Sequence, residues 1–105
     1  MEFEDILDVI VKAAKNQETV EIYYPETENS KEGWREVEPY SISTDTGPEG
    51  EHLVLEKEIV QPGHILNALS VGSKDSHCRS FILSKIKKAK LTGHKFIPKW
   101  PVEFL

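Results

Sequence analysis

The chain has 105 residues, 38% hydrophobic and 30% charged, with a formal net charge of −5. That size suits one globular domain with a modest core, and an acidic whole argues against binding a polyanion with the entire molecule. A lone cysteine, Cys78, excludes an internal disulfide framework.

No apolar run approaches the roughly 18 residues of a membrane span. The N-terminus, MEFEDILDVI, lacks the positive flank of a signal peptide. No membrane association and a cytoplasmic location are therefore expected. Charge is divided unevenly along the chain. Residues 1–58 hold 16 acidic and 5 basic groups, and residues 59–105 hold 2 and 8. An acidic half followed by a basic half suggests a local face that prefers an anion.

The first segment, FEDILDVIVKAAKN, predicts a helix within residues 1–17. Phe3, Ile6, Leu7, Ile10, Ala13 and Ala14 fall on one stripe, and Asn16 is a plausible stop. TVEIYYP, 19–25, alternates Val20, Ile22 and Tyr24 against Thr19, Glu21 and Tyr23, which predicts a strand ended by Pro25. The polar run ETENSKEG reads as a hairpin loop, and WREVEPYSIST as a second strand that Pro39 bends or places at an edge. DTGPEG, 45–50, reads as a turn, and EHLVLEKEI, 51–59, as a third strand around Leu53, Val54 and Leu55.

Residues 60–75, VQPGHILNALSVGSKD, break the rhythm. Ile65, Leu66 and Leu69 have helical spacing, so an insertion with two helical turns is expected. RSFILSKIKKAKLTG, 79–93, then gathers five cationic side chains among apolar ones. As a helix it would be a lysine-covered rod with Ile82, Leu83, Ile86 and Ala89 on one face. As strands, Phe81 and Leu83 point one way, and Ala89 and Leu91 belong to a second run. A phase slip at Ser84–Lys85–Ile86 marks one tight turn between them, with Ser84 as its cap. The strand reading is favoured, because three strands need partners and such turns round the corners of small barrels. The aromatic, proline-containing tail, 95–105, is expected to cover the domain in extended form. The whole reads as mainly β with an N-terminal helix, an SH3-like small barrel of about five strands over 18–94.

At this point the residues resemble a family. From Val20 to Phe96 the chain is similar to the WYL domain, an SH3-like barrel usually found behind a DNA-binding domain in bacterial regulators. IYY at 22–24 resembles its opening strand, and WREVEP at 34–39 its Arg-x-x-x-Pro strand. RSFILSKI at 79–86 resembles the closing Arg-x-Phe signature, and KFIP at 95–98 the tail. The naming motif falls at HLVLEK, where Glu51 and His52 stand for Trp and Tyr and Leu53 is retained. Lys85 stands where arginine is usual.

The resemblance implies a sensory pocket for a small anionic or nucleotide-like effector, or for single-stranded nucleic acid. It also implies a DNA-binding domain, attached or separate. The residue chemistry agrees. Arg79 offers a planar fork of donors matched to phosphate or carboxylate, and Lys85 a compact second charge. Strand alternation sets Arg79 on the side of Phe81 and Leu83. There it needs an anion, either a ligand or an internal acid.

Arg35, His52 and Tyr23 are the expected rim contacts. The alternatives are pairing of Arg35 with Glu36 or Glu38, and a merely satisfied His52. Tyr23 or Trp34 suits stacking on a base, Tyr24 reads as core, and Lys87, Lys88 and Lys90 as a solvated face.

Catalysis is not expected. DTG at 45–47 matches the aspartic-protease triplet but lies in a turn-like context, whereas that chemistry needs a buried dyad. The four histidines and Cys78 lack metal-ligand spacing, so neither metal nor cofactor is expected. GPEG is too short for a phosphate loop and lacks its lysine. The rival to a sensor is an SH3-like module that dimerises or docks another domain without a small ligand.

Overall fold

The computed structural model describes residues 1–28, 30–44, 59–72 and 78–104. The expected stripe folds as helix α1, Phe3–Lys15, burying Ile6, Leu7, Ile10, Ala13 and Ala14, together with Val11. Glu4 and Asp5 in its first turn and Lys12 and Lys15 in its last oppose the helix dipole. Asn16 is the C-cap, and Gln17 turns to φ 51°, the left-handed conformation that commonly ends a helix.

Five strands follow: β1 Glu18–Tyr24, β2 Gly33–Ser43, β3 Ile65–Ser70, β4 Arg79–Ile82 and β5 Lys88–Lys95. They form one antiparallel sheet of order β4-β3-β2-β1-β5. The mainly β class with an N-terminal helix is as expected, but the sheet is open. β4 and β5 are its two edges and do not pair with each other.

The sheet nonetheless curls. β4 connects to β5 through a 3₁₀ turn, Leu83–Lys85, and two further residues. That link reaches about 16 Å, from ~2 Å per 3₁₀ residue and ~3.3 Å per extended one. Four interstrand spacings in a flat sheet would need about 19 Å. Contacts between β1 and β4, which are not sheet neighbours, show the result. Tyr24 packs edge-on against Phe81 with centroids 5.1 Å apart, and its hydroxyl accepts the Ile82 N–H at 2.9 Å. The concave side holds the core, with Val20, Ile22, Val37, Leu66, Ala68, Phe81 and Ala89 against the helix stripe.

Two expectations are corrected. Residues 65–70 are a strand, not helical turns. Leu66 and Ala68 face the core while Ile65 and Leu69 are buried on the other side. A strand buried on both faces loses its alternation, so periodicity alone cannot tell it from a short helix. Ser84 does not cap the 3₁₀ turn; Ile82 precedes it, with no side-chain cap. The turn is held from outside, where Leu83 N–H bonds the His64 carbonyl at 3.0 Å and Ser84 N–H the Pro62 carbonyl at 2.7 Å.

The expected turn at 45–50 and most of the expected strand at 51–59 lie outside the described residues. Pro39 does mark a bend, since the β2–β3 register shifts between Pro39 and Ser41. The tail covers the convex side. Phe96 and Trp100 pack edge-on around Tyr40, and Lys99 and Glu103 donate backbone N–H groups to the Tyr40 hydroxyl and carbonyl. Burial, foremost, pushes that hydroxyl's pKa up to about 12.

Candidate ligand site

Beside the concave core lies a groove made of two adjoining cavities. One, of about 390 Å³, is lined by Tyr24, Thr27, Glu28, Arg35, Arg79, Ser80 and Phe81. The other, of about 310 Å³, is lined by Thr27, Ser30, Arg35, Ser70, Val71, Gly72 and Arg79. Thr27, Arg35 and Arg79 belong to both. Each cavity sits at the small end of the range for ligand pockets, about 300–1,000 Å³.

Strand register explains how two arginines 44 positions apart come together. Arg35 pairs with Ile22, and Arg79 with Ala68. Ile22 and Ala68 both face the core, so period-2 alternation sends both guanidinium stems to the concave side. Both arginines lie past the edge of the buried core, which leaves Arg35 half-buried and Arg79 exposed. The expectation that Arg79 shares a side with Phe81 therefore holds, while its side chain reaches solvent at the groove.

Arg35 does not pair with Glu36 or Glu38, which alternate to the convex face and bond Thr19 and Tyr40 respectively. Instead its Nη2 donates to the carbonyls of Pro25 at 3.3 Å and Lys31 at 3.4 Å. Its guanidinium carbon lies 5.3 Å from the centre of the Tyr24 ring. Neutral acceptors and a ring face orient this cation without cancelling its charge.

The other expected contacts go elsewhere. Lys85 sits exposed in the 3₁₀ turn and lines neither cavity. Tyr23 points to the convex face, where it meets Trp34 edge-on with centroids 5.4 Å apart and donates to Glu32 at 3.2 Å. His52 lies outside the described residues. Thr27, Glu28, Ser30, Ser70 and Ser80 were not singled out from sequence. The pairing Tyr24↔Gly33 places the hairpin loop over the groove, so the polarity of ETENSKEG was the one available signal.

The convex face gathers the lysines expected to be solvated. Lys87 bonds Glu32 at 3.1 Å, and Lys90 lies 4.4 Å above the Trp34 ring. Nearby, Glu36 accepts the Thr19 hydroxyl at 2.6 Å and meets His94 Nδ1 at 2.9 Å. These contacts, the Thr19 hydroxyl foremost, hold the Glu36 carboxyl below its usual range, and the Glu36 bond raises His94. Cys78 is half-buried, and burial pushes its thiol pKa up. Among the described residues no group of three or more His, Cys, Asp or Glu side chains is placed to hold a metal. No described helix is long and apolar enough to cross a membrane.

Comparison with known proteins supports the fold. A solved structure, the proteasome accessory factor B/C (PafBC) of Arthrobacter aurescens, superposes with a TM-score of 0.60 at 22% identity. The match covers 90% of this chain and 13% of that one. No protein-family model and no curated protein sequence matches the chain.

Proposed function

We propose that this chain is a regulatory sensing module, WYL-like in fold, that binds an anionic effector in the groove between Arg35 and Arg79. The observation that carries the proposal is that both arginines line both cavities. One of them is oriented by carbonyls and a ring instead of a carboxylate. Two guanidinium forks on a concave wall, amid hydroxyls, suit a phosphate or carboxylate group.

PafBC is a transcriptional regulator that contains a WYL domain, and a shared fold supports the regulatory part of the reading. On this reading occupancy is non-catalytic and acts in the cytoplasm by biasing a DNA-binding partner, attached or separate. A fold does not fix a ligand, so the groove's chemistry carries that part.

The test is an amide-shift titration with inorganic phosphate, nucleotides and short single-stranded DNA. Shifts should cluster at 24–35 and 70–81 and vanish in folded Arg35→Ala and Arg79→Ala proteins. Shifts elsewhere, or none with any ligand, would reject the groove as an anion site. One observation favours a docking module as the second reading. Ile97 on the tail is 90% exposed, with the partly exposed Trp100 nearby in sequence. A concentration-dependent mass, lost in Ile97→Ser and indifferent to anions, would support that reading.

A further inference from the structure

The groove is electrically lopsided. Its positive charge lies in the middle, where Arg35 and Arg79 are shared by the two cavities. At one end Ser30, Ser70, Val71 and Gly72 add hydroxyl and backbone groups but no carboxylate. At the other end stands Glu28, beside Tyr24 and Phe81. A ligand with negative charge at both ends would meet repulsion at Glu28. A ligand with an anion in the middle and hydrogen-bond donors at one end would be satisfied throughout.

The aromatic side chains at the Glu28 end narrow the class further. Tyr24 and Phe81 stand edge-to-face, fixed by the Tyr24 hydroxyl bond to Ile82, and form a rigid apolar floor suited to a flat ring. A carboxylate has two acceptor oxygens and no donor, so it matches a ring edge with two adjacent N–H groups. Guanine offers such an edge. Adenine sets an acceptor nitrogen beside its amino group, and a carboxylate repels that acceptor.

We infer that the groove is built for a guanine nucleotide, its phosphate held between Arg35 and Arg79 and its base edge read by Glu28. This inference rests on the groove being an anion site, and the test separates the two. Binding of guanosine monophosphate, adenosine monophosphate, phosphoethanolamine and inorganic phosphate is measured by calorimetry and amide shifts. The proteins compared are the wild type, Glu28→Gln and Arg35→Ala. Glu28 is exposed in the hairpin loop, so its substitution leaves the core untouched.

Wild type should bind the guanine nucleotide about tenfold or more tighter than the adenine one, as expected for losing a charged hydrogen bond. Glu28→Gln separates the readings by sign. Removing a carboxylate strengthens binding of any ligand recognised only through its anion, whereas a base held by that carboxylate is bound more weakly. Glu28→Gln should therefore bring the guanine nucleotide down to the adenine level and leave inorganic phosphate equal or tighter.

Equal binding of the two nucleotides, or a Glu28→Gln protein that tightens both, overturns the guanine assignment and leaves the anion site standing. Phosphoethanolamine binding as tightly as the guanine nucleotide also overturns it. Absence of binding to all four, inorganic phosphate included, overturns both. Arg35→Ala should weaken every phosphate-bearing ligand.

Discussion

Arg35 and Glu36 are neighbours in sequence and belong to different worlds in the fold. On the convex face the charges find local partners: Glu36 takes Thr19 and His94, Glu32 takes Lys87, and Lys90 lies on Trp34. On the concave side Arg35 is held by two carbonyls and the Tyr24 ring. An ion pair spends its field on its partner, whereas a guanidinium oriented by neutral groups keeps its charge for a further anion. The convex face is thus built to be stable in water, and the concave end to receive something.

The sharpest way to break this comparison is to remove the floor of one face and a comparable aromatic from the other. Phe81 is buried and braces the groove from below, so Phe81→Ala should cost about 3–5 kcal/mol. Trp34 is 42% exposed on the convex face, so Trp34→Ala should cost far less despite the larger ring. Urea midpoints of the two variants measure the difference. Similar losses would mean that the convex aromatics also belong to the core.

A smaller effect tests the curl itself. In Tyr24→Phe the ring still packs on Phe81, but the Ile82 N–H loses its acceptor across the sheet. The cost should be about 1 kcal/mol, with faster hydrogen exchange at the Ile82 amide. Unchanged exchange there would show that the β1–β4 contact does not hold the two strands together.

How far the groove was legible in the sequence follows from the same alternation. Arg79 and Phe81 could be placed on one side because period-2 patterning is local, and Tyr24 could be read as core for the same reason. Helix α1 was legible because its stripe and its stop at Asn16 are also local. The strand at 65–70 was not, because burial on both faces erases the pattern that distinguishes it from a helix.

Lys85 was misplaced relative to Arg79 for a third reason. A 3₁₀ turn between two strands redirects side chains by an amount that spacing does not encode, and it carries Lys85 away from both cavities. Glu28 escaped notice because a polar hairpin loop looks the same whether it hangs in solvent or over a groove. Only the register Tyr24↔Gly33 decides between the two.

The smallest effect concerns the convex face alone and depends on pH. The fold raises the pKa of His94, so His94 stabilises fully below its unfolded value, and this support is lost as pH rises through the raised folded value. Glu36 behaves oppositely. Its pKa is depressed, so its support is present above the unfolded carboxylate value and is lost as pH falls through the depressed one. The pair should therefore contribute most between the two, with a shallow loss on either side, because His94 is largely exposed and the bond is screened.

His94→Gln separates the limbs. Its melting temperature should no longer fall as pH rises through the histidine range. The acid loss should persist, because the Thr19 hydroxyl, the larger cause of the Glu36 shift, is still present. Thr19→Val should reverse that pattern, weakening the acid limb and keeping the alkaline one. An acid limb that disappears in His94→Gln would mean that Thr19 and Thr92 hold Glu36 less firmly than their 2.6 Å contacts imply.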